Sequence, residues 1–115
     1  MVAQLPASQF TAWRDAATTP GGPLPAVLDV REPWELQTAS VREDGFELLR
    51  IPMREVPARL AELPADRPIA CLCHHGMRSM QVARFLEEHG FSEVVNLAGG
   101  IDAWSVELDG AVPRY

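Results

Sequence analysis

The stretch that decides the fold is "IACLCHHGMRSM", residues 69–80. Its first five residues form a short apolar run, which reads as a buried strand. Period two places Ile69, Cys71 and Cys73 on one face of that strand. A helical pattern follows from about Ser79 to His89, with Val82, Phe85 and Leu86 as its apolar stripe. Gly90 falls in the C′ position and Phe91 at C″, where a Schellman cap packs it on Leu86. A further apolar segment, "EVVNLA" at 93–98, reads as the next strand. Strand, tight loop, helix and strand in succession are the unit of a parallel α/β sheet.

The same alternation extends outward. "AVLDV" at 26–30 reads as a buried strand ending at the charged rim "REPWE", and "ELLRIPM" at 47–53 as another. "PARLAEL" at 57–63 is a short helix, with Pro57 in its first turn and Leu60 and Leu63 inward. "GGIDAWSVEL" begins a last helix. Near the start, Ser8 is placed to N-cap a helix carrying Phe10, Trp13 and Ala17 on one face. "TTPGGPLP" then breaks it. No repeat and no long linker divides the chain, so residues 1–115 are expected to form one domain.

Bulk properties narrow the function. With 115 residues and 47% apolar content, the chain can bury a core without disulfides. Its net charge is −6 and it has no basic run, which argues against a nucleic-acid surface. The beginning "MVAQLPASQF" has neither a basic n-region nor an apolar h-region. No apolar run approaches the ~18 residues of a membrane span. Only two cysteines occur, one residue apart, so a disulfide framework is not available. The expectation is a cytoplasmic protein with no membrane or nucleic-acid partner.

In a parallel sheet, ligands bind beyond the carboxyl ends of the strands. Residues 73–79 stand there, before a helix N-terminus. Their backbone N–H groups, the helix dipole and Arg78 make a candidate anion cradle. Gly76 allows the turn, and Arg78 has the fork that grips an oxyanion. A cysteine at the mouth of such a cradle is favoured as a nucleophilic thiolate, and Cys73 is the candidate. Cys71 reads as inert packing. A metal reading would draw on Cys71, Cys73, His74 and His75, but their spacing matches no usual zinc pattern. A redox pair would be C-x-x-C, whereas this is C-x-C inside a strand.

Other residues keep two readings. His74 and His75 either contact substrate or are exposed loop residues. Trp34 either lines the rim or is buried, while Trp13 and Trp104 read as core. Asp29 and Arg31, at a strand end, either orient the cradle through hydrogen bonds or pair on the surface. His89 reads as a helix C-terminal residue.

Three segments together resemble a known family. "CHHGMRS" is similar to the C-x-x-G-x-R-S active-site loop of single-domain rhodaneses, the thiosulfate sulfurtransferases. "LDVREPWE" resembles the D-V-R-E segment of that family, and "NLAGGIDAW" its N-L-x-G-G-I-x-A-W segment. The matches span about residues 26–104. The resemblance implies a rhodanese-like three-layer domain with a central, mainly parallel sheet flanked by helices. It places the catalytic roles on Cys73 and Arg78 and the substrate cradle on His74, His75, Gly76, Met77 and Ser79. It gives supporting roles to Asp29, Arg31 and Trp104. The chain departs from the family at "QTASVREDGFELLRIP", where a Gly-His pair is often found.

The implied reaction moves a sulfane sulfur from thiosulfate or a similar donor to a thiol, a protein or cyanide, through a Cys73 persulfide. It requires no metal and no organic cofactor. Two rivals are a phosphatase or arsenate reductase of the same fold, and a non-catalytic binding module that kept the loop. Four residues separate Cys73 from Arg78, where the similar phosphatases place five. The shorter loop suits a single sulfur better than a phosphate.

Overall fold

A computed structural model describes residues 1–115. Five strands form one sheet: β1 (Ala3–Pro6), β2 (Ala26–Asp29), β3 (Glu47–Arg50), β4 (Ile69–Leu72) and β5 (Val94–Ala98). Their order is β1-β5-β4-β2-β3, and every neighbouring pair is parallel. The helices are α1 (Phe10–Ala17), α2 (Pro33–Thr38), α3 (Met77–Glu88) and α4 (Gly100–Glu107). Short 3-10 turns occupy Ala7–Gln9, Met53–Glu55 and Pro57–Glu62.

The central strands β2 and β4 are buried along their whole length. Both faces of a parallel sheet are covered, so such strands read as unbroken apolar runs. One face carries Leu28, Ile69, Cys71 and Cys73 against Val82, Ala83 and Leu86 of α3. The other carries Val27, Leu72 and Leu97 against Phe10, Phe46, Ile101 and Trp104. Phe10 meets Trp104 at 4.6 Å between ring centroids, and Phe46 edge-on at 5.4 Å. The result is the parallel α/β sheet expected from the alternating pattern, in the three-layer arrangement that the resemblance implies, with Trp104 in the core as read.

The end of α3 follows the cap read from sequence. Gly90 has φ +92°, and the Phe91 amide donates to Leu86 O at 3.1 Å. The helix itself begins two residues earlier than expected, at Met77.

Two elements differ from the sequence reading. Residues 3–6 form an edge strand, β1, that no alternation signals, and Pro6 is tolerated because it ends the strand at the sheet edge. "PWELQT" forms α2, an element the sequence reading did not assign beyond the charged rim, with Pro33 at its first turn, where a missing N–H costs nothing. Ser8 lies inside the first 3-10 turn and makes no capping bond to α1. The short helix expected at 57–63 is present as a 3-10 helix over Pro57–Glu62.

The topology sets the location of a site. From β2 the chain leaves toward β3, and from β4 it leaves the opposite way, toward β5. The crevice between the two diverging loops is the switch point where such sheets bind ligands. Arg31 leaves the end of β2 there, and Cys73 the end of β4.

Candidate active site

Cys73 directly follows β4, with 1% of its surface exposed. The chain then turns through His74, His75 and Gly76 into α3. Gly76 has φ +104°, a left-handed value that favours glycine, and a Cβ there would stand 3.2 Å from the Gly99 amide. The loop lies on the N-terminus of α4. The Ile101 amide donates to Cys73 O at 2.9 Å, and the Asp102 amide to His74 O at 3.2 Å.

With those carbonyls held by α4, the loop amides are left over. The Gly76 amide donates to Cys73 Sγ at 3.0 Å. No backbone carbonyl accepts from the amides of His74, His75, Met77, Arg78 or Ser79. Unpaired donors at a helix N-terminus, together with its dipole, favour an anion. Ser79 Oγ lies 3.3 Å from Sγ and 2.6 Å from Asn96 Oδ1. Its single proton serves one of them at a time. Asn96 is fixed in turn, its Nδ2 donating to Gly76 O at 3.1 Å and to Gln4 Oε1 at 2.9 Å.

Arg78 leaves the first turn of α3 toward α2. Nη1 donates to Glu35 Oε1 at 2.6 Å and Nη2 to Oε2 at 2.8 Å. Two of its five N–H protons are thus committed, and three remain. Glu35 is almost fully buried, and its Oε1 also accepts the Glu32 amide at 3.0 Å. The bonded Arg78 guanidinium holds the Glu35 carboxyl down to about 2, against the opposite push of burial. The Tyr115 hydroxyl donates to Glu35 Oε2 at 2.6 Å. Burial pushes that phenol up to about 12.

Arg31 completes the network from below. It is fully buried, with Nε and Nη2 on the Asp29 carboxylate at 2.9 and 2.7 Å. Nη2 also reaches Ala39 O, and Nη1 reaches Glu35 O and the Tyr115 hydroxyl. A buried ion pair is tolerable only when its remaining donors are satisfied, and all five of these are. Asp29 and Arg31 therefore pair inside the fold rather than on its surface, two hydrogen bonds away from Arg78.

The other candidates from the sequence lie around this loop. His74 is half-buried, its Nε2 2.7 Å from the main-chain oxygen of Tyr115. Its ring is stacked between those of Tyr115 and His75, each at 3.9 Å. His75 is exposed, and Met77 is 78% exposed. Trp34 is 61% exposed and meets Tyr115 edge-on at 6.2 Å. Cys71 is sealed in the core, where burial pushes its thiol up to about 12. The four residues of the metal reading do not converge as a ligand group.

Sequence reading missed Glu35, Asn96 and Tyr115. Glu35 carried a local signal, being three residues after Glu32 at the start of a helix opened by Pro33. Asn96 lay inside a quoted segment but at an apolar strand's centre. Nothing local marks Tyr115.

The family model for the rhodanese-like domain matches residues 12–107.

The chain belongs to the rhodanese-like family.

This rhodanese-like domain is 32% identical over 88 residues to the thiosulfate sulfurtransferase GlpE of Pseudoalteromonas translucida, covering 76% of the present chain and 80% of that protein. It is 39% identical over 93 residues to the rhodanese-like/PpiC domain-containing protein 12, chloroplastic, of Arabidopsis thaliana. That match covers 77% of this chain and only 30% of the longer protein. Among solved structures, the rhodanese-related protein from Thermoplasma volcanium superposes with a TM-score of 0.75 at 30% identity. The superposition covers 92% of this rhodanese-like domain and 93% of the other. No helix of the domain is long and apolar enough to cross a membrane.

Proposed function

We propose that this domain is a sulfurtransferase that carries sulfane sulfur on Cys73, from thiosulfate or a similar donor to a thiol or cyanide. One observation carries the reading: Cys73 Sγ accepts the Gly76 amide at the mouth of a loop whose other amides have no backbone acceptor. The similarity to a thiosulfate sulfurtransferase supports the choice of donor.

In the first half-reaction the Cys73 thiolate attacks the outer sulfur of thiosulfate. An S–S bond forms to Cys73, the S–S bond of thiosulfate breaks, and sulfite leaves with the electron pair. The persulfide anion remaining on Cys73 is stabilised by the loop amides and Ser79. In the second half-reaction cyanide or a thiolate attacks the terminal sulfur and regenerates the Cys73 thiolate. Arg78 acts as a fixed positive charge beside the leaving sulfite, with its three uncommitted N–H groups available. Asp29 and Arg31 position it, through Tyr115 and Glu35. His74, His75 and Met77 line the approach to the sulfur. No step draws on a metal or an organic cofactor.

The test is thiocyanate production from thiosulfate and cyanide. The parent protein is expected to turn over, and Cys73→Ser to be inactive with an unchanged melting temperature. Turnover retained in folded Cys73→Ser would refute the assignment.

A further inference from the structure

We infer that Tyr115 is a positioning residue of this active site, its hydroxyl holding Glu35, and through Glu35 the Arg78 guanidinium, at the sulfur-donor step. The inference rests on the sulfur-transfer reading for the step that Arg78 serves.

The direction of each bond is fixed by chemistry. Arg31 has no acceptor, so its Nη1–H donates to the Tyr115 oxygen at 3.0 Å. The single phenol proton must then go to Glu35 Oε2 at 2.6 Å. Arg31 is fully buried with every donor used, so it is a rigid anchor. Tyr115 thus ties the Glu35 carboxylate to the immobile Asp29–Arg31 pair. Without the hydroxyl, Oε2 keeps only Arg78, and its burial leaves little water to replace the lost donor.

The segment that carries Tyr115 is held independently. Val112 is buried in the second core, and its carbonyl accepts from Ser105 Oγ at 2.5 Å. Arg114 donates to Asp102 at 2.8 Å, and the Asp102 amide in turn holds the His74 carbonyl. The Tyr115 ring lies flat on His74, with planes 7° apart. One residue therefore touches the loop through His74 and the Arg78 charge through Glu35.

Tyr115→Phe is the discriminating variant, because it keeps the ring on His74 and deletes only the hydroxyl. Two readouts apply. The first is the single-turnover rate of persulfide formation from thiosulfate. The second is the ratio of Cys73 alkylation rates by anionic iodoacetate and neutral iodoacetamide, which reports the positive charge near Sγ without any sulfur transfer. Both are expected to fall, the persulfide rate by roughly threefold or more, and neither to fall further when Tyr115→Phe is added to Glu35→Gln. An unchanged ratio and rate in Tyr115→Phe would overturn the inference. So would an undiminished effect in the Glu35→Gln background, since that marks a role apart from Glu35. If the parent protein forms no persulfide while the alkylation ratio still falls, the sulfur-transfer reading fails and the positioning role of Tyr115 stands.

Discussion

Gly100 stands directly against the Cys73 carbonyl: a Cβ at position 100 would lie 2.5 Å from that oxygen and 2.4 Å from the carbonyl oxygen of His74. Both neighbours are backbone, so neither can swing aside. Gly100 also has φ +59°. The close approach lets the α4 amides hold the two loop carbonyls, while the amides of His74, His75, Met77, Arg78 and Ser79 keep no backbone acceptor.

Gly100→Ala is therefore expected to push the Cys73 loop off α4. The expected cost is about 2–4 kcal/mol in stability, from backbone displacement and strain. Persulfide formation should fall more steeply than the folded fraction. Urea unfolding and a thiosulfate single turnover measure the two, and a variant equal to the parent in both would show that the contact is dispensable.

Cys71 and Cys73 are expected to behave as unrelated thiols. Cys71 is in the core, with its thiol pushed up to about 12 by burial. Alkylation of the native protein should mark Cys73 alone, as read by peptide mass mapping. Cys71→Ser should keep most of the activity, at a cost of about 1–3 kcal/mol for the buried hydroxyl. A folded Cys71→Ser protein as inactive as Cys73→Ser would restore a two-thiol mechanism.

Glu35 predicts an acid limb in stability. Its folded-state value is depressed from 4.5 to about 2, chiefly by the bonded Arg78. A depressed carboxylate adds stability that is fully present above the unfolded value and is lost as pH falls through the folded one. The contribution should thus fade between about pH 4.5 and pH 2. Urea midpoints of the parent and of Glu35→Gln should converge across that window and differ most at neutral pH. Parallel curves would show that the carboxylate charge contributes nothing there.

Arg78 and the loop length bear on sulfur against phosphate. Lysine cannot span both Glu35 oxygens with a planar fork, so Arg78→Lys should lower kcat/KM for thiosulfate by about tenfold or more. The four residues between Cys73 and Arg78 leave a tight ring, and no carboxylic acid lies within the loop to protonate a leaving alcohol. The parent protein should therefore show negligible hydrolysis of an aryl phosphate. Phosphatase activity that depends on Cys73 and exceeds sulfur transfer would reverse this assignment.

The parts of the molecule legible in the sequence are those set by local chemistry. Cys73, Gly76 and Arg78 lie on one turn, and the cap at Gly90 and Phe91 is a contact within six residues. The central strands announce themselves as apolar runs because both faces are buried. The edge strand β1 does not, since its four residues hold less than a clear alternation and end in Pro6. The partners of Arg78 were hidden for a different reason. Glu35 is 43 residues away from it, and Tyr115 is 80 residues from Glu35, so only the folded sheet brings them together. Arg78 read in isolation looked like a free oxyanion fork; in the fold, one edge of it is committed to a carboxylate.

Intact mass spectrometry after thiosulfate treatment tests the central claim most directly. One added sulfur is expected, located on the peptide carrying Cys73, absent in Cys73→Ser and removed by cyanide with recovery of the original mass. A parent protein that remains at its original mass after thiosulfate, while its Cys73 is still free to alkylate, would contradict the account.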